Sequence, residues 1–262
     1  MDDLQLLVDE CLLKGYSQKT IDAYVHHVSH FLESKLSARD YLLRFAKGRS
    51  VESVRAACFA IKFFLKAKHK DSDFMIRILH SIPNMKREKK LPVILSKSEV
   101  QSLIEAATNT NHKLIIMLGY SAGLRVSEII NLRWSDIDFS RDIIHIKQGK
   151  GNKDRIVMLS CRLKASFLLL DQKTKFVFMT RRKDKYTVRT VQVVLKNCAR
   201  KAGVKKHVTP HSLRHSFATH LLENGTDIRY IKELLGHADV RTTLIYTKVS
   251  GKDILKIRSP LD

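Results

Sequence analysis

Cysteine is scarce in this chain, and acidic residues are few for its size. Cys11, Cys58, Cys161 and Cys198 are the only four cysteines. They lie far apart, form no C-x-x-C pair and sit among apolar neighbours. That pattern argues against a disulfide scaffold or a cysteine zinc site and reads as reduced core thiols of a cytosolic protein. No apolar run approaches the length of a membrane span. Met1-Asp2-Asp3 lacks the positive stretch that opens a signal peptide, so a cytoplasmic protein with no membrane partner is expected. There is no internal repeat and no low-complexity tract.

Acid is outnumbered by base, 26 Asp/Glu against 48 Lys/Arg, for a formal charge of +22 and a pI near 10.0. The surplus is uneven: residues 1–85 carry +3, residues 86–90 another +3, and residues 91–262 carry +16. A surplus of that size points to a polyanion, nucleic acid ahead of membrane. A merely solvated basic surface is the plain alternative.

Hydrophobic periodicity divides the chain. Residues 1–82 read as four amphipathic helices in a compact bundle. Gly15 stops the first, Ser17, Ser37 and Ser50 open the other three, and Gly48 ends the third. His26 and His30, four apart on the second helix, read as a solvated pair because no third metal ligand is evident. Residues 83–92 read as a basic linker bracketed by Pro83 and Pro92.

Residues 93–262 read as a mainly helical unit with a small sheet. Ser96-Lys-Ser-Glu99 is a capping box, and residues 112–122 form an apolar helix broken by Gly123. Ile143–Ile146 and Arg155–Leu159 are strands flanking a hairpin tip over 148–154, with Phe176-Val-Phe178 as a third strand. Helices follow over 188–200, 209–223, 227–235 and about 239–247.

Four short segments of this second unit hold an unusual set of side chains. They are Gly123-Leu-Arg125-Val-Ser-Glu128, Gly149-Lys150-Gly-Asn, His211-Ser-Leu-Arg214-His215, and Leu234-Leu-Gly-His237-Ala-Asp through Tyr246. Arginine forks grip phosphate oxygens bidentately and stay charged. Histidine takes or shares a proton near neutrality. Lysine delivers one to a leaving oxygen, and tyrosine forms a covalent phosphoester. Together these are what attack on a phosphodiester without a metal would need. Taken singly each has an ordinary reading: a helix cap for His211, a loop histidine for His237, a core aromatic for Tyr246, a hairpin-tip lysine for Lys150. His211 and His215 also stand four apart like part of a zinc helix, but the glutamate of H-E-x-x-H is missing and Arg214 would repel a cation.

The four segments, in this order, resemble the tyrosine recombinases, and most closely the Xer branch of that family. Gly149-Lys-Gly-Asn-Lys-Asp-Arg155 and His211 through His220 carry the likeness across the second unit. Lys14 through Tyr24 resembles the start of the family's core DNA-binding domain. The resemblance implies an N-terminal helical bundle and an α+β catalytic domain, mainly α with a small β-sheet, closing as a clamp on duplex DNA. It implies that Tyr246 attacks the scissile phosphate and remains joined to the DNA 3′ end. Arg125 and Arg214 would clamp the non-bridging oxygens, with a hydrogen bond from His237. His211 would accept the tyrosine proton, and Lys150 would protonate the leaving 5′ oxygen. Lys153 competes for the last role; Lys150 is preferred because it aligns with the family's hairpin position. Glu128 would orient or neutralise local charge. No metal or other cofactor is implied.

The partners implied are double-stranded DNA with an inverted-repeat, dif-like site, a homodimer on one site and a homotetramer joining two. An accessory protein is a further partner the reading admits. Resolution of chromosome dimers is the role the Xer likeness suggests. A mobile-element or viral integrase, a relaxing topoisomerase of type IB, or a catalytically silent DNA-binding relative are the alternatives. After Tyr246 the chain is short, and Ile254, Leu255 and Ile257 offer either a patch that docks on a neighbouring protomer or a frayed basic tail.

Overall fold

The computed structural model describes residues 3–69, 81–82, 91–147, 154–170, 172–180, 182 and 184–247. Contacts divide the chain into two compact units, Met1–Lys89 and Lys90–Asp262. The hairpin tip with Lys150 and Lys153, the segment after Thr247, and all of the basic linker but Leu91 and Pro92 lie outside the described residues. Among the described residues no helix is long and apolar enough to cross a membrane.

The first unit contains α1 (Asp3–Leu13), α2 (Gln18–Ser34), α3 (Ala38–Ala46) and α4 (Val51–Lys68). Three of them begin the same way. The hydroxyls of Ser17, Ser37 and Ser50 accept from the backbone N–H groups of Thr20, Asp40 and Ser53, satisfying donors that the first helical turn leaves unpaired. Gly15 takes a positive φ after α1, and the Tyr16 N–H then reaches the Cys11 carbonyl at 3.0 Å. That closure needs a left-handed residue, which glycine adopts without strain. Leu7, Cys11, Ile21, Val28, Ala57, Ile61 and Phe64 form the buried core. His26 and His30 are exposed, their rings 4.6 Å apart, and His30 faces Glu33.

The second unit opens with α5 (Lys97–Ala106), where Ser96 and Glu99 close the expected capping box, and α6 (Thr110–Ser121). A short α7 (Val126–Ile130) and a 3₁₀ turn lead to an antiparallel sheet of β1 (Ile137–Asp138), β2 (Ile143–Ile146) and β3 (Arg155–Met158) in that order. Ile144 pairs with Val157, and both are buried. Next come α8 (Cys161–Leu168), α9 (Val188–Lys201), α10 (Pro210–Glu223), α11 (Ile228–Leu235) and a 3₁₀ turn at Val240–Thr242.

Three local expectations change. Phe176-Val-Phe178 is not a strand of the sheet: Phe176 makes one isolated bridge to Arg133, and Val177 and Phe178 turn into the core. The third strand is Ile137–Asp138, too short to show alternation. Residues 239–247 form no continuous α-helix: the Asp239 side chain caps the Arg241 N–H of a 3₁₀ turn at Val240–Thr242, and the chain goes on in turns, with Tyr246 N–H on the Thr243 carbonyl at 3.0 Å. Finally, Cys161 is exposed and begins α8, whereas Cys11, Cys58 and Cys198 are buried as expected.

Candidate active site

The site is assembled around the C-terminal end of α11. Gly236 terminates that helix with φ +60°, and the His237 N–H turns back to the Lys232 carbonyl at 3.1 Å. The last carbonyls of a helix lack intrahelical donors and carry its partial negative charge. Here they attract three guanidinium groups. Arg155 donates from Nε to the Leu234 carbonyl at 2.8 Å, Arg214 from Nη2 to the Leu235 carbonyl, and Arg125 from Nη2 to the Gly236 carbonyl at 3.1 Å. Three residues distant in sequence thereby meet on three successive peptide units.

Each arginine is held from a second side. Arg214 lies one turn into α10, a helix started by the Thr209 hydroxyl and by Pro210 at its first position, where a missing N–H costs nothing. Its Nη1 donates to the Gly123 carbonyl at 2.5 Å, and the residue is 4% exposed. Gly123 can reach that position because it has φ +60°; a Cβ there would lie 2.4 Å from Phe217 Cδ1. Arg125 precedes α7 and donates from Nη1 to Glu128 Oε1 at 2.8 Å, while its own backbone N–H meets Oε2 at 2.8 Å. Arg155, at the start of β3, takes the same carboxylate with both Nη groups, at 2.8 and 2.7 Å. Three cations against one carboxylate leave two positive charges without an anion among these four side chains.

Tyr246 is 1% exposed and packs with Phe217, Ala218, Ile231 and Leu235. Its hydroxyl is hydrogen-bonded to Nδ1 of His215 at 3.0 Å. His237 Nδ1 is hydrogen-bonded to the hydroxyl of Thr243 at 3.0 Å, and Thr243 is fully buried. Arg125, Arg214, His237 and Tyr246 therefore belong to one cluster. The Tyr246 hydroxyl is hydrogen-bonded to His215 and not to His211, which lies in the first turn of α10 with its ring 6.3 Å from that of His215 and whose pKa is lowered by burial and by the charges of Arg214 and Arg125. The imidazole on the nucleophile candidate is His215, one turn further along, which the sequence presents only as half of a zinc-like pair. Arg155 and Thr243 also join the site; both lie within segments that the sequence singles out, but the sequence assigns neither of them a role there.

Burial and charge set the protonation states. Burial, then His211 and Arg214, lower His215 to about 4. Burial, then Arg214 and Arg125, likewise bring His237 to about 4. Both imidazoles are neutral at pH 7, and a neutral ring offers one acceptor and one donor. Arg214 falls to about 9 through burial and the Arg125 charge, and stays cationic at neutral pH. Burial raises the Tyr246 hydroxyl, against the pull of Arg214 and Arg125. For Glu128 burial acts upward, but the bonds and charge of Arg155, then of Arg125, outweigh it and hold the carboxylate at about 2. The cluster thus offers a phenol on a neutral base, beside cations able to stabilise developing anionic charge.

The profile of the Phage integrase family matches residues 93–252. The chain is 40% identical over 255 residues to "Tyrosine recombinase XerA" of Pyrococcus horikoshii, covering 92% of this chain and 87% of that protein. The crystal structure of a XerA recombinase superposes with a TM-score of 0.59 at 32% identity, covering 99% of this chain and all of the other. A XerH recombinase bound to palindromic difH DNA in a post-cleavage complex has the same fold, with a TM-score of 0.73 at 21% identity over 92% of this chain and 79% of that one.

Proposed function

The chain belongs to the phage integrase family and is a site-specific tyrosine recombinase close to the Xer branch; from that premise we propose how its residues cut and rejoin DNA and what the reaction serves. The enzyme binds DNA and breaks and rejoins its strands through a tyrosine intermediate.

In the proposed reaction the Tyr246 oxygen attacks the scissile phosphorus. Its proton passes to Nδ1 of His215, the neutral imidazole already on the hydroxyl. Arg125 and Arg214 bind the non-bridging oxygens with the N–H groups not engaged by carbonyls or Glu128. If the Thr243 hydroxyl donates to Nδ1 of His237, the other ring nitrogen carries a proton and donates to the same phosphate. Lys150, with Lys153 as its rival, protonates the departing 5′ oxygen. The phosphotyrosine conserves the bond energy, so a 5′ hydroxyl from another strand can reverse the step without a nucleotide. His211, beside His215 on the exposed side of α10, serves the phosphate or the DNA backbone rather than the tyrosine.

The observation that carries this reading is the buried Tyr246 hydroxyl on a neutral imidazole, next to two guanidiniums that share one helix end. A duplex nicked just beyond the scissile phosphate tests it, because the freed 5′ fragment diffuses away and traps the adduct. A covalent complex mapping to Tyr246, lost in Tyr246→Phe and persisting in excess chelator, is expected. An adduct at any other residue overturns the assignment.

The biological role we assign is resolution of chromosome dimers in the cytoplasm at an inverted-repeat site, with a dimer on each site and a tetramer in the synapse. The palindromic DNA in the XerH complex supports the symmetric site. Residues 1–82 serve as the core DNA-binding domain, and 93–262 as the catalytic domain. Mapping genomic sites of covalent attachment tests this role. One site near the replication terminus is expected, whereas attachment at the ends of a mobile element assigns the protein to integration.

A further inference from the structure

We propose that Arg155 is a positioning residue whose charge satisfies the buried Glu128 carboxylate and thereby leaves Arg125 free to bind the scissile phosphate; the proposal rests on the reading of Arg125 as a phosphate clamp. Among the described residues Glu128 is the one acid of the cluster, its side chain 8% exposed, and it lies between two arginines. They do not share it equally. Arg155 meets both oxygens, Nη1 on Oε1 and Nη2 on Oε2, in the parallel fork that suits guanidinium and carboxylate best. Arg125 contributes one side-chain bond, to Oε1. Arg155 is closed off at 7% exposure, whereas Arg125 stays open at 17%. One arginine is therefore occupied as a counter-ion, and the other keeps donors to spare.

The consequence follows from what a buried carboxylate needs. It must be paired, because an uncompensated charge in a poorly solvated site is strongly unfavourable. With Arg155 removed, Arg125 is the remaining guanidinium bonded to Glu128. Its flexible side chain then closes on both oxygens, and its donors point at the carboxylate instead of at DNA. Arg155 also ties the site together mechanically. It stands at the start of β3, directly after the segment that carries Lys150. Its Nε holds the Leu234 carbonyl, and its Cδ lies 3.0 Å from where a Cβ on Gly236 would sit, next to His237. A strut alone would also explain these contacts, so the test must separate charge from mechanics.

Adduct formation on the nicked duplex, DNA affinity and thermal unfolding are measured for Arg155→Met, Glu128→Gln and the double variant. Arg155→Met is expected to slow adduct formation by about 100-fold, the scale of a misplaced catalytic group, with affinity changed less than about threefold. The double variant has no carboxylate to recapture Arg125 and is expected to recover at least about tenfold over Arg155→Met, a non-additive rescue that identifies coupling. A double variant no faster than Arg155→Met, or an Arg155→Met enzyme as fast as the parent, overturns the proposal. If Arg155→Met does not fold, Arg155→Gln removes the charge while keeping a donor for the Leu234 carbonyl. It should then show the same rescue by Glu128→Gln, and its absence counts equally against the idea. Arg125→Ala is run alongside: normal adduct formation there refutes the phosphate-clamp reading itself, independently of Arg155.

Discussion

Tyr246 and His215 are joined by a hydrogen bond of 3.0 Å between the phenol oxygen and Nδ1, with the ring centroids 5.6 Å apart. The tyrosine side is sealed by Phe217, Ala218, Ile231 and Leu235, and the histidine is kept neutral by burial and by Arg214. A buried phenol needs a partner for its O–H, and this partner is also a base able to receive the proton.

His215→Ala should therefore slow adduct formation on a nicked duplex by about 10²–10³-fold, within the range of general base catalysis. His211→Ala should cost distinctly less. Rates measured side by side decide between them, and the reverse order would return the proton to His211, as the family resemblance implies.

Lys150→Ala should slow cleavage of the normal 5′ oxygen leaving group and recover on a substrate with a bridging 5′ sulfur, which departs without an acid. His215→Ala should not recover on sulfur, since its proton belongs to the nucleophile. Rescue of Lys153→Ala in place of Lys150→Ala would move the acid three positions along the hairpin.

Stability should fall with acid in a defined window. His215 and His237 are held at about 4 in the folded chain against an ordinary 6.5. Between those values the unfolded chain binds protons that the folded one refuses, so stability is full above about 6.5 and is lost as pH falls toward 4. Glu128 adds its own loss only at lower pH, as acidity moves from its ordinary 4.5 toward about 2. Even ~1 kcal/mol lowers Tm by ~2–4 °C in a domain of this size. A Tm that is flat from pH 7 to pH 5, or a His215→Gln variant with an unchanged slope, would contradict this assignment.

Gly123→Ala should destabilise the catalytic unit by roughly 2–4 kcal/mol. The new Cβ meets Phe217 Cδ1 at 2.4 Å and Cε1 at 2.6 Å, and the backbone must hold φ +60°. Overpacking and left-handed strain each contribute on the order of 1 kcal/mol or more. Because the Gly123 carbonyl also holds Arg214, activity should fall further than unfolding accounts for. Chemical denaturation and adduct rates at a temperature well below Tm separate the two effects.

What is legible in the chain is what neighbouring residues decide among themselves. Ser17, Ser37 and Ser50 cap their helices through bonds three residues long, and Ser96 with Glu99 closes a box of the same span. Gly123 breaks its helix where its backbone freedom predicts a break, and the order of the motifs identifies the family. The short α8 gives no legible signal because only Leu163 and Phe167 bury, too few to show a period. The third strand is misplaced by sequence because pairing is a contact between segments, and Phe176 has the composition of a strand without a ladder to join.

Composition and motif order supply the chemistry available: two arginines, histidines, a lysine and a tyrosine in the order of one family, on a chain with a large positive surplus. Tertiary structure alone decided which of those groups meet. Which imidazole receives Tyr246 depends on how the turns from Gly236 to Tyr246 fold back on α10, and His211 and His215 differ by one helical turn. Arg155 became a partner of Glu128 only because β3 packs at the end of α11. Caps and breaks cost little entropy to close and leave a local signature. A hydrogen bond between residues 27 or 31 positions apart leaves none, because folding the whole unit is what brings its ends together.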